Sequence, residues 1–210
     1  MRLWTRQHYD FYRQLLSTGV AYTSVVSELA KDSCGAYDWI TEQMRERIGE
    51  PPLPEIFTPV WAWYQYNSKK SARPPYTPYG YDTFESVMLE LEVPDEQVLL
   101  SGFMLWHHCL NGWPIASKAE MKELDKEIDA FRDSHPGKFY DDYPQDLKDK
   151  VSATWVRVFD LHARDPYYAT RHPKNRSIQA TLWLVRKEWV KSAVKIIVDE
   201  KKNVHLYPLE

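Results

Sequence analysis

Cysteine and glycine are scarce in this sequence, and their scarcity excludes several classes of protein. The 210 residues include 2 cysteines, too few for a disulfide scaffold or a four-cysteine zinc site. The 7 glycines form no glycine-rich phosphate loop, so side chains or helix ends would have to recognise any phosphate. Apolar runs fall short of the roughly 18 residues that span a bilayer, and no apolar signal segment follows Met1. The sequence therefore predicts a cytoplasmic protein without a membrane partner.

Basic charge is concentrated late in the chain. The formal net charge is -3, yet basic residues outnumber acidic ones between Arg157 and Lys202, whereas acidic residues dominate the part before Arg157. A basic segment of this kind attracts phosphate-bearing partners. A solvated surface of alternating charge explains the same composition more simply, and we favour that interpretation.

Hydrophobic periodicity and capping signals predict an α+β fold. Strands are expected near residues 2–6, 56–66, 87–93, 98–100, 178–185 and 194–198, and helices near 8–17, 37–48, 102–110, 117–132 and 145–161. Because strands surround a helical middle, a regular βαβ alternation is disfavoured. We expect one domain over residues 1–210, with a small split β-sheet core and a helical insertion at about 114–165. Residues 68–81 form a long polar loop, a feature that is often functional.

The histidines and paired acids do not predict a metal site. His107 and His108 are adjacent, so on a helix their side chains point about 100° apart and cannot share one ion. His162 and His172 have no zinc-like spacing to another ligand. Glu90 and Glu92 share one strand face, which would suit a hydrolase with a divalent ion, but a solvent-facing strand surface explains them better. We expect no metal.

Tryptophan is the residue in excess. Of the 9 tryptophans, 5 lie in four short segments, namely Leu3 to Thr5, Trp61 to Tyr64, Trp106 to His108 and Gln179 to Trp183. A core can be built more simply from Leu, Ile and Val, so tryptophans beside Thr, Gln, His and Tyr are typical of a ligand cleft with flat apolar walls. Core packing explains the tryptophans equally well, and a histidine bonded to backbone explains His107 equally well.

Five segments in order resemble an uncharacterised bacterial family of cytoplasmic proteins, one of the domains of unknown function. The segments are Leu3-Trp4-Thr5-x-Gln7, Pro59 to Tyr64, Glu90 to Pro94, Leu99 to Asn111 and Ile178 to Trp183. The resemblance covers nearly the whole length and implies no established activity. Gly102, Met104 and Leu184 stand where the family commonly has acidic residues.

A second resemblance implies a chemistry. A first strand ending in Thr5, a helix followed by Gly19, an aromatic strand and a late Gln-Ala strand are similar in order to ADP-ribosyltransferases, particularly those that modify nucleic acids. The resemblance implies NAD+ as substrate in a cleft between two small sheets. It further implies a toxin or phage-defence effector with a nucleic acid or protein acceptor and a neutralising partner protein. In that family a catalytic glutamate follows Gln-Ala, but Thr181 stands there in this chain, so we assign no catalytic residue.

The same resemblance implies a set of NAD-binding residues. Trp63 or Tyr64 would stack on the nicotinamide, and Arg73 would clamp the pyrophosphate. His107 would hydrogen-bond a ribose or phosphate. The whole set is Thr5, Gln7, Trp63, Tyr64, Arg73, Trp106, His107, Asn111, Gln179 and Thr181. The alternative is a non-enzymatic binding or regulatory partner protein that uses exposed aromatics and the basic segment at an interface.

Overall fold

Strands and helices alternate unevenly in the computed structural model, which describes residues 1–23, 33–77, 85–162 and 176–209. The strands in these ranges are β1 (Arg2–His8), β2 (Val20–Ala21), β3 (Val60–Tyr66), β4 (Lys69–Lys70), β5 (Ser86–Glu92), β6 (Leu99–Gly102), β7 (Ile178–Leu182), β8 (Val185–Arg186), β9 (Val190–Val198) and β10 (Val204–Leu209). The α-helices are α1 (Tyr9–Thr18), α2 (Ala36–Ile48), α3 (Phe103–Leu110), α4 (Lys118–Ser134) and α5 (Gln145–Ala153). No helix in these ranges is long and apolar enough to cross a membrane.

The main sheet has eight strands, and seven of them follow the order β10-β9-β5-β1-β3-β7-β6. Strand β4 pairs with β3 beside this path, and β2 with β8 forms a separate two-stranded sheet. All pairings between these named strands are antiparallel. The predicted α+β class is confirmed in its coarse form, since the described residues combine five α-helices with a mainly antiparallel sheet. The described strands form one eight-stranded sheet and the separate β2–β8 pair, and β1 joins β3 at a single register position, Trp4 opposite Trp63.

Helix α1 shows how local sequence fixes an element. The His8 side chain accepts a hydrogen bond from the Asp10 backbone N–H, and Gly19 ends the helix in the left-handed conformation with φ +79. The buried side chains of α1 are Phe11, Tyr12 and Leu15. These three apolar side chains belong to the main core, together with inward-facing residues of β1 and β5.

The helical stretch between β6 and β7 differs from the predicted one at its end. The capping box Ser117–Glu120 begins α4 as expected. The prediction of a single α-helix over residues 145–161 is wrong, because α5 ends at Ala153 and a 3₁₀ helix continues the chain to Phe159. The Thr154 hydroxyl donates to the Val151 carbonyl and accepts from the Ile115 N–H. Long-range bonds and the burial of Trp155 therefore tighten the chain where periodicity alone predicts more α-helix. Residues 163–165 of the expected insertion lie outside the described residues.

Two clusters of buried side chains pack on opposite faces of β1 and β5. Leu3 and Leu89 belong to the main core, while a smaller cluster joins Trp4, Met88, Ile196 and Val198. We name the latter the Trp4 cluster. Since side chains alternate along a strand, Leu3, Thr5 and Gln7 share one face of β1, and Trp4 and Arg6 share the other. This alternation decides which predicted site residues can meet.

Candidate functional site

One row of side chains crosses four strands that are far apart in sequence. In register, Trp4 lies opposite Trp63, Trp63 opposite Gln179, and Gln179 opposite Ser101. Register partners in neighbouring strands project to the same face. We name these four residues the Trp63 row. It joins the opening strand, the aromatic strand and the Gln-Ala strand, the three strands whose order suggested an ADP-ribosyltransferase.

Aromatic rings cover the middle of the Trp63 row. The Trp63 ring lies 5.2 Å from the Tyr66 ring and 4.8 Å from the Phe103 ring, centroid to centroid. The Phe103 ring lies 4.6 Å from the His107 ring. Helix α3 begins directly after β6, which brings its first turn over this part of the sheet. Trp63, Tyr66, Phe103 and His107 are all half-buried, so the aromatic wall remains partly open to solvent.

Two buried polar atoms in the row have no hydrogen-bond partner among the described residues. Gln179 is 5% exposed and Ser101 is 0% exposed. Among the described residues, no group bonds to the Gln179 Nε2 or to the Ser101 Oγ. An unsatisfied buried polar group costs roughly 1–3 kcal/mol, and native proteins contain few of them. Adjacent unsatisfied groups beside a half-open aromatic wall are typical of a site that accepts a ligand.

Three residues of the predicted set lie elsewhere. Thr5 and Gln7 project from the opposite face of β1, toward the main core. The Thr5 hydroxyl donates to the Trp61 carbonyl over 2.6 Å, and the Gln7 Nε2 donates to the Thr5 Oγ1 over 2.7 Å. Tyr64 packs against the main core, with the Lys70 ammonium 5.2 Å from its ring centroid. These three side chains are therefore not brought together with Gln179.

Helix α3 divides its predicted residues between packing and the site. Trp106 is a core residue, because its ring lies 5.0 Å from the Trp61 ring and 5.7 Å from the Tyr37 ring. The His107 Nδ1 donates to the Phe103 carbonyl over 2.8 Å. That bond satisfies one ring nitrogen with backbone and leaves Nε2 for another partner. Exposed Asn111 caps the helix, since its Nδ2 donates to the His107 carbonyl over 2.7 Å.

Arg73 lies on the segment after β4, which is tied over the Trp4 cluster. The Trp4 Nε1 donates to the Ser71 carbonyl over 3.0 Å, and Tyr76 packs against the cluster. The Arg73 guanidinium lies 3.8 Å from the Tyr76 ring centroid and donates to the Pro74 carbonyl. This segment brings an exposed arginine to the face that carries Trp63. Residues 78–81 of the long loop lie outside the described residues.

Thr181 takes no part in an open site. It is fully buried opposite Trp61 and Leu99, and its hydroxyl donates to the Leu99 carbonyl over 3.3 Å. A buried hydroxyl committed to backbone cannot orient a ribose. Glu188, the next acid along the chain, is exposed in a 3₁₀ turn after β8.

Sequence reasoning missed the contributions of Ser101 and Phe103. Both stand within the segment Leu99 to Asn111, yet neither carries a local signal for ligand binding. Their importance arises from register, since Ser101 lies opposite Gln179 and Phe103 contacts Trp63. Strand register over such sequence separations is set by the whole sheet.

Comparison with known proteins identifies one relationship. A sequence profile described as a domain of unknown function (DUF3841) matches residues 2–191, from β1 into β9. Neither a curated protein nor a solved structure matches the chain.

Proposed function

This chain belongs to the DUF3841 family, a domain of unknown function, and we propose that it binds NAD+ or a related nucleotide at the Trp63 row, as an ADP-ribosyltransferase-like protein. The observation that carries the proposal is the row itself. Trp63 and Gln179, both expected to meet a ligand, are register partners, and the Gln179 Nε2 is buried without a hydrogen-bond partner in the described residues.

The chemistry of nicotinamide matches this surface. The nicotinamide ring of NAD+ is flat and positively charged and carries a carboxamide. Trp63 and Phe103 offer aromatic faces for stacking and for cation–π attraction. The Gln179 amide and the Ser101 hydroxyl can satisfy a carboxamide, which removes the cost of their unpaired burial. The His107 Nε2 suits a ribose hydroxyl, and Arg73 suits a phosphate.

Transfer of ADP-ribose to a macromolecule is the stronger form of the proposal. In that reaction the bond from ribose C1′ to nicotinamide breaks, nicotinamide leaves with the electron pair, and an acceptor forms the new bond and loses a proton. A carboxylate normally stabilises the cationic ribose. Since Thr181 cannot supply it, another acid would have to do so. A toxin or defence effector of this kind would modify a nucleic acid or a protein and be held by a neutralising partner protein.

Binding is tested first, by calorimetric titration of the whole chain with NAD+. Gln179→Met keeps the volume of the side chain and removes the amide, so we expect affinity to fall at least about tenfold, the equivalent of one good hydrogen bond. Gln97→Met, at an exposed glutamine outside the row, is the matched control and should bind as wild type does. No heat from wild type, or equal affinity in Gln179→Met, would contradict the proposal.

Transfer is tested with labelled NAD+ and a cell extract, following label into protein, RNA and DNA separately. Label that enters one class and is lost in Gln179→Met establishes a transferase and its acceptor class. NAD+ binding without label or nicotinamide release establishes a nucleotide-binding protein that does not turn over.

A non-enzymatic partner protein is the second candidate. The observation in its favour is Thr181, buried and bonded to backbone where a transferase would have its acid. Such a protein would use exposed cations such as Arg186 and Lys187 at an interface. Charge reversal at both should weaken capture of its partner and leave NAD+ affinity unchanged. Partner capture that is indifferent to both substitutions would argue against this candidate.

A further inference from the structure

A cavity lies beside His108 of α3, between α4 and the segment 112–116. Its volume is about 400 Å³, within the range of pockets that hold small molecules. His108, Trp113, Asp125, Ile128, Asp129 and Tyr143 are among its lining residues. His108 follows His107, so the two adjacent histidines serve different surfaces of one helix.

The walls of this pocket are fixed by long-range hydrogen bonds. The Trp155 Nε1 donates to the Trp113 carbonyl over 2.9 Å, and the Ile115 N–H donates to the Thr154 hydroxyl over 2.9 Å. The Arg157 guanidinium donates to the Ile115 carbonyl, also over 2.9 Å. These bonds hold segment 112–116 against α5 and its 3₁₀ extension. The pocket is therefore preformed, which lowers the entropic cost of binding.

The rim of the pocket carries charges that pair with none of the described residues. Asp125 and Asp129 lie one turn apart on α4, and Arg132 follows one turn later. Within the described ranges, none of these three side chains forms an ion pair or a hydrogen bond. Other charged residues of α4 are paired, for example Lys126 with Glu123. Two free carboxylates against one guanidinium leave the rim negative.

Two lining residues of the pocket, His108 and Trp113, favour a cationic ligand that donates hydrogen bonds. Burial lowers the pKa of His108, so its ring is neutral at pH 7. The His108 Nδ1 donates to the Pro114 carbonyl over 3.1 Å, which leaves the neutral Nε2 as an acceptor. Trp113 is 52% exposed and touches His108 edge-on, with ring centroids 5.7 Å apart. Its indole offers a surface for cation–π contact.

We propose that this pocket binds a small organic cation, an amine or guanidinium carried on an apolar body. The cation lies between Asp125 and Asp129, and the apolar body packs against Trp113, Ile128 and Tyr143. The positive charge of Arg132 offsets one of the two carboxylate charges, so the rim keeps a net negative charge. The site is independent of the nucleotide site proposed at the Trp63 row.

The test compares three probes of matched size on the whole chain by calorimetry or ligand-detected NMR. The probes are phenethylamine, the neutral 2-phenylethanol and the anionic 3-phenylpropanoate. We expect the amine to bind at least about tenfold more tightly than the alcohol, and the carboxylate to bind more weakly still, because two carboxylates face the ligand. The double variant Asp125→Asn/Asp129→Asn should lose the preference for the amine. Asp133→Asn, on the same helix outside the pocket, should keep it.

Three outcomes would overturn the proposal. Equal affinity for amine and alcohol would make the pocket merely apolar. Tighter binding of the carboxylate would make it an anion site centred on Arg132. No binding of any probe would remove the site. Unchanged NAD+ titration in the double aspartate variant would show that the result concerns this pocket and is separate from the Trp63 row.

Discussion

Gln179 and Thr5 are both buried polar residues of the sheet, and they differ in what their side chains bond. The Thr5 hydroxyl donates to the Trp61 carbonyl and accepts from the Gln7 amide. The Gln179 Nε2 has no partner among the described residues. A satisfied group stabilises the fold, whereas an unsatisfied one burdens it with a desolvation cost. Because the unpaired Gln179 amide lowers the stability of the fold, its presence is best explained by a ligand that it binds.

We therefore predict opposite effects on stability at these two positions. Gln179→Met should leave the free energy of unfolding unchanged or raise it, because the unpaired amide disappears at nearly constant volume. Thr5→Val should lower it by about 1–3 kcal/mol, because a carbonyl and an amide lose their partner. Urea denaturation of both variants gives the comparison. A loss in Gln179→Met as large as that in Thr5→Val would mean that the amide is structural.

Gly112 is required by both conformation and space. Its φ of +63 is unfavourable for other residues, and a Cβ there would lie 2.3 Å from the Tyr140 Cγ. Gly112→Ala should therefore lower the free energy of unfolding by about 2–4 kcal/mol. Gly137→Ala is the matched control, since φ is +81 and no atom lies within 4 Å of its Cβ. It should lose only about 1–2 kcal/mol, from backbone strain alone. Equal losses would mean that Tyr140 moves aside freely.

At the scale of elements, α4 depends on a cap that is also an ion pair. Glu120 accepts from the Arg157 guanidinium, then from the Ser117 hydroxyl and N–H, and these bonds lower its pKa from 4.5 to about 2. A lowered pKa in the folded state means that the carboxylate stabilises the protein fully above pH 4.5. This stabilisation disappears as the pH falls toward 2. The Glu120 side chain is 47% exposed, which limits the contribution to about 1 kcal/mol.

Glu120→Gln should accordingly be less stable than wild type at pH 7 and equal to it near pH 2. Thermal unfolding of both proteins across this range checks the expectation. Glu123→Gln, whose partner is the neighbouring Lys126 on the same helix, is the control and should change little. A difference between Glu120→Gln and wild type that persists unchanged at pH 2 would contradict the ion pair as its source.

The elements that sequence predicted well are those with local signals. Helix α1 has a cap and Gly19, α4 has a capping box, and β5 has apolar residues at every second position, Val87, Leu89 and Leu91. The elements that it missed depend on distant partners. Strand β10 contains exposed polar and aromatic residues and Pro208, and it becomes a strand because β9 offers a free edge. The same limitation applies to the site, where Gln179 and Trp63 were expected and Ser101 was not.

At the scale of the molecule, α3 lies between two candidate sites. Its Phe103 and His107 complete the aromatic wall at the Trp63 row, while its His108 lines the pocket beside α4. The core residue Trp106 anchors the helix against Trp61 and Tyr37. A helix fixed in this way can present adjacent residues to different ligands. The sequence shows that His107 and His108 are adjacent. Only the packed structure shows that His107 lies beside Phe103 and that His108 lines the pocket.

The two cores share one sheet, so they should unfold together. Ile196 is fully buried in the Trp4 cluster, and its truncation to Ala should lower the free energy of unfolding by about 2–4 kcal/mol. Leu206→Ala is the matched control, because Leu206 is the register partner of Ile196 on β10 yet is 43% exposed. Leu206→Ala should lower the free energy of unfolding by under about 1 kcal/mol.

Because β5 and β1 carry both cores on opposite faces, circular dichroism and tryptophan fluorescence should give one shared unfolding midpoint in Ile196→Ala. An early fluorescence change that leaves the dichroism intact would instead mean that the Trp4 cluster unfolds separately from the main core.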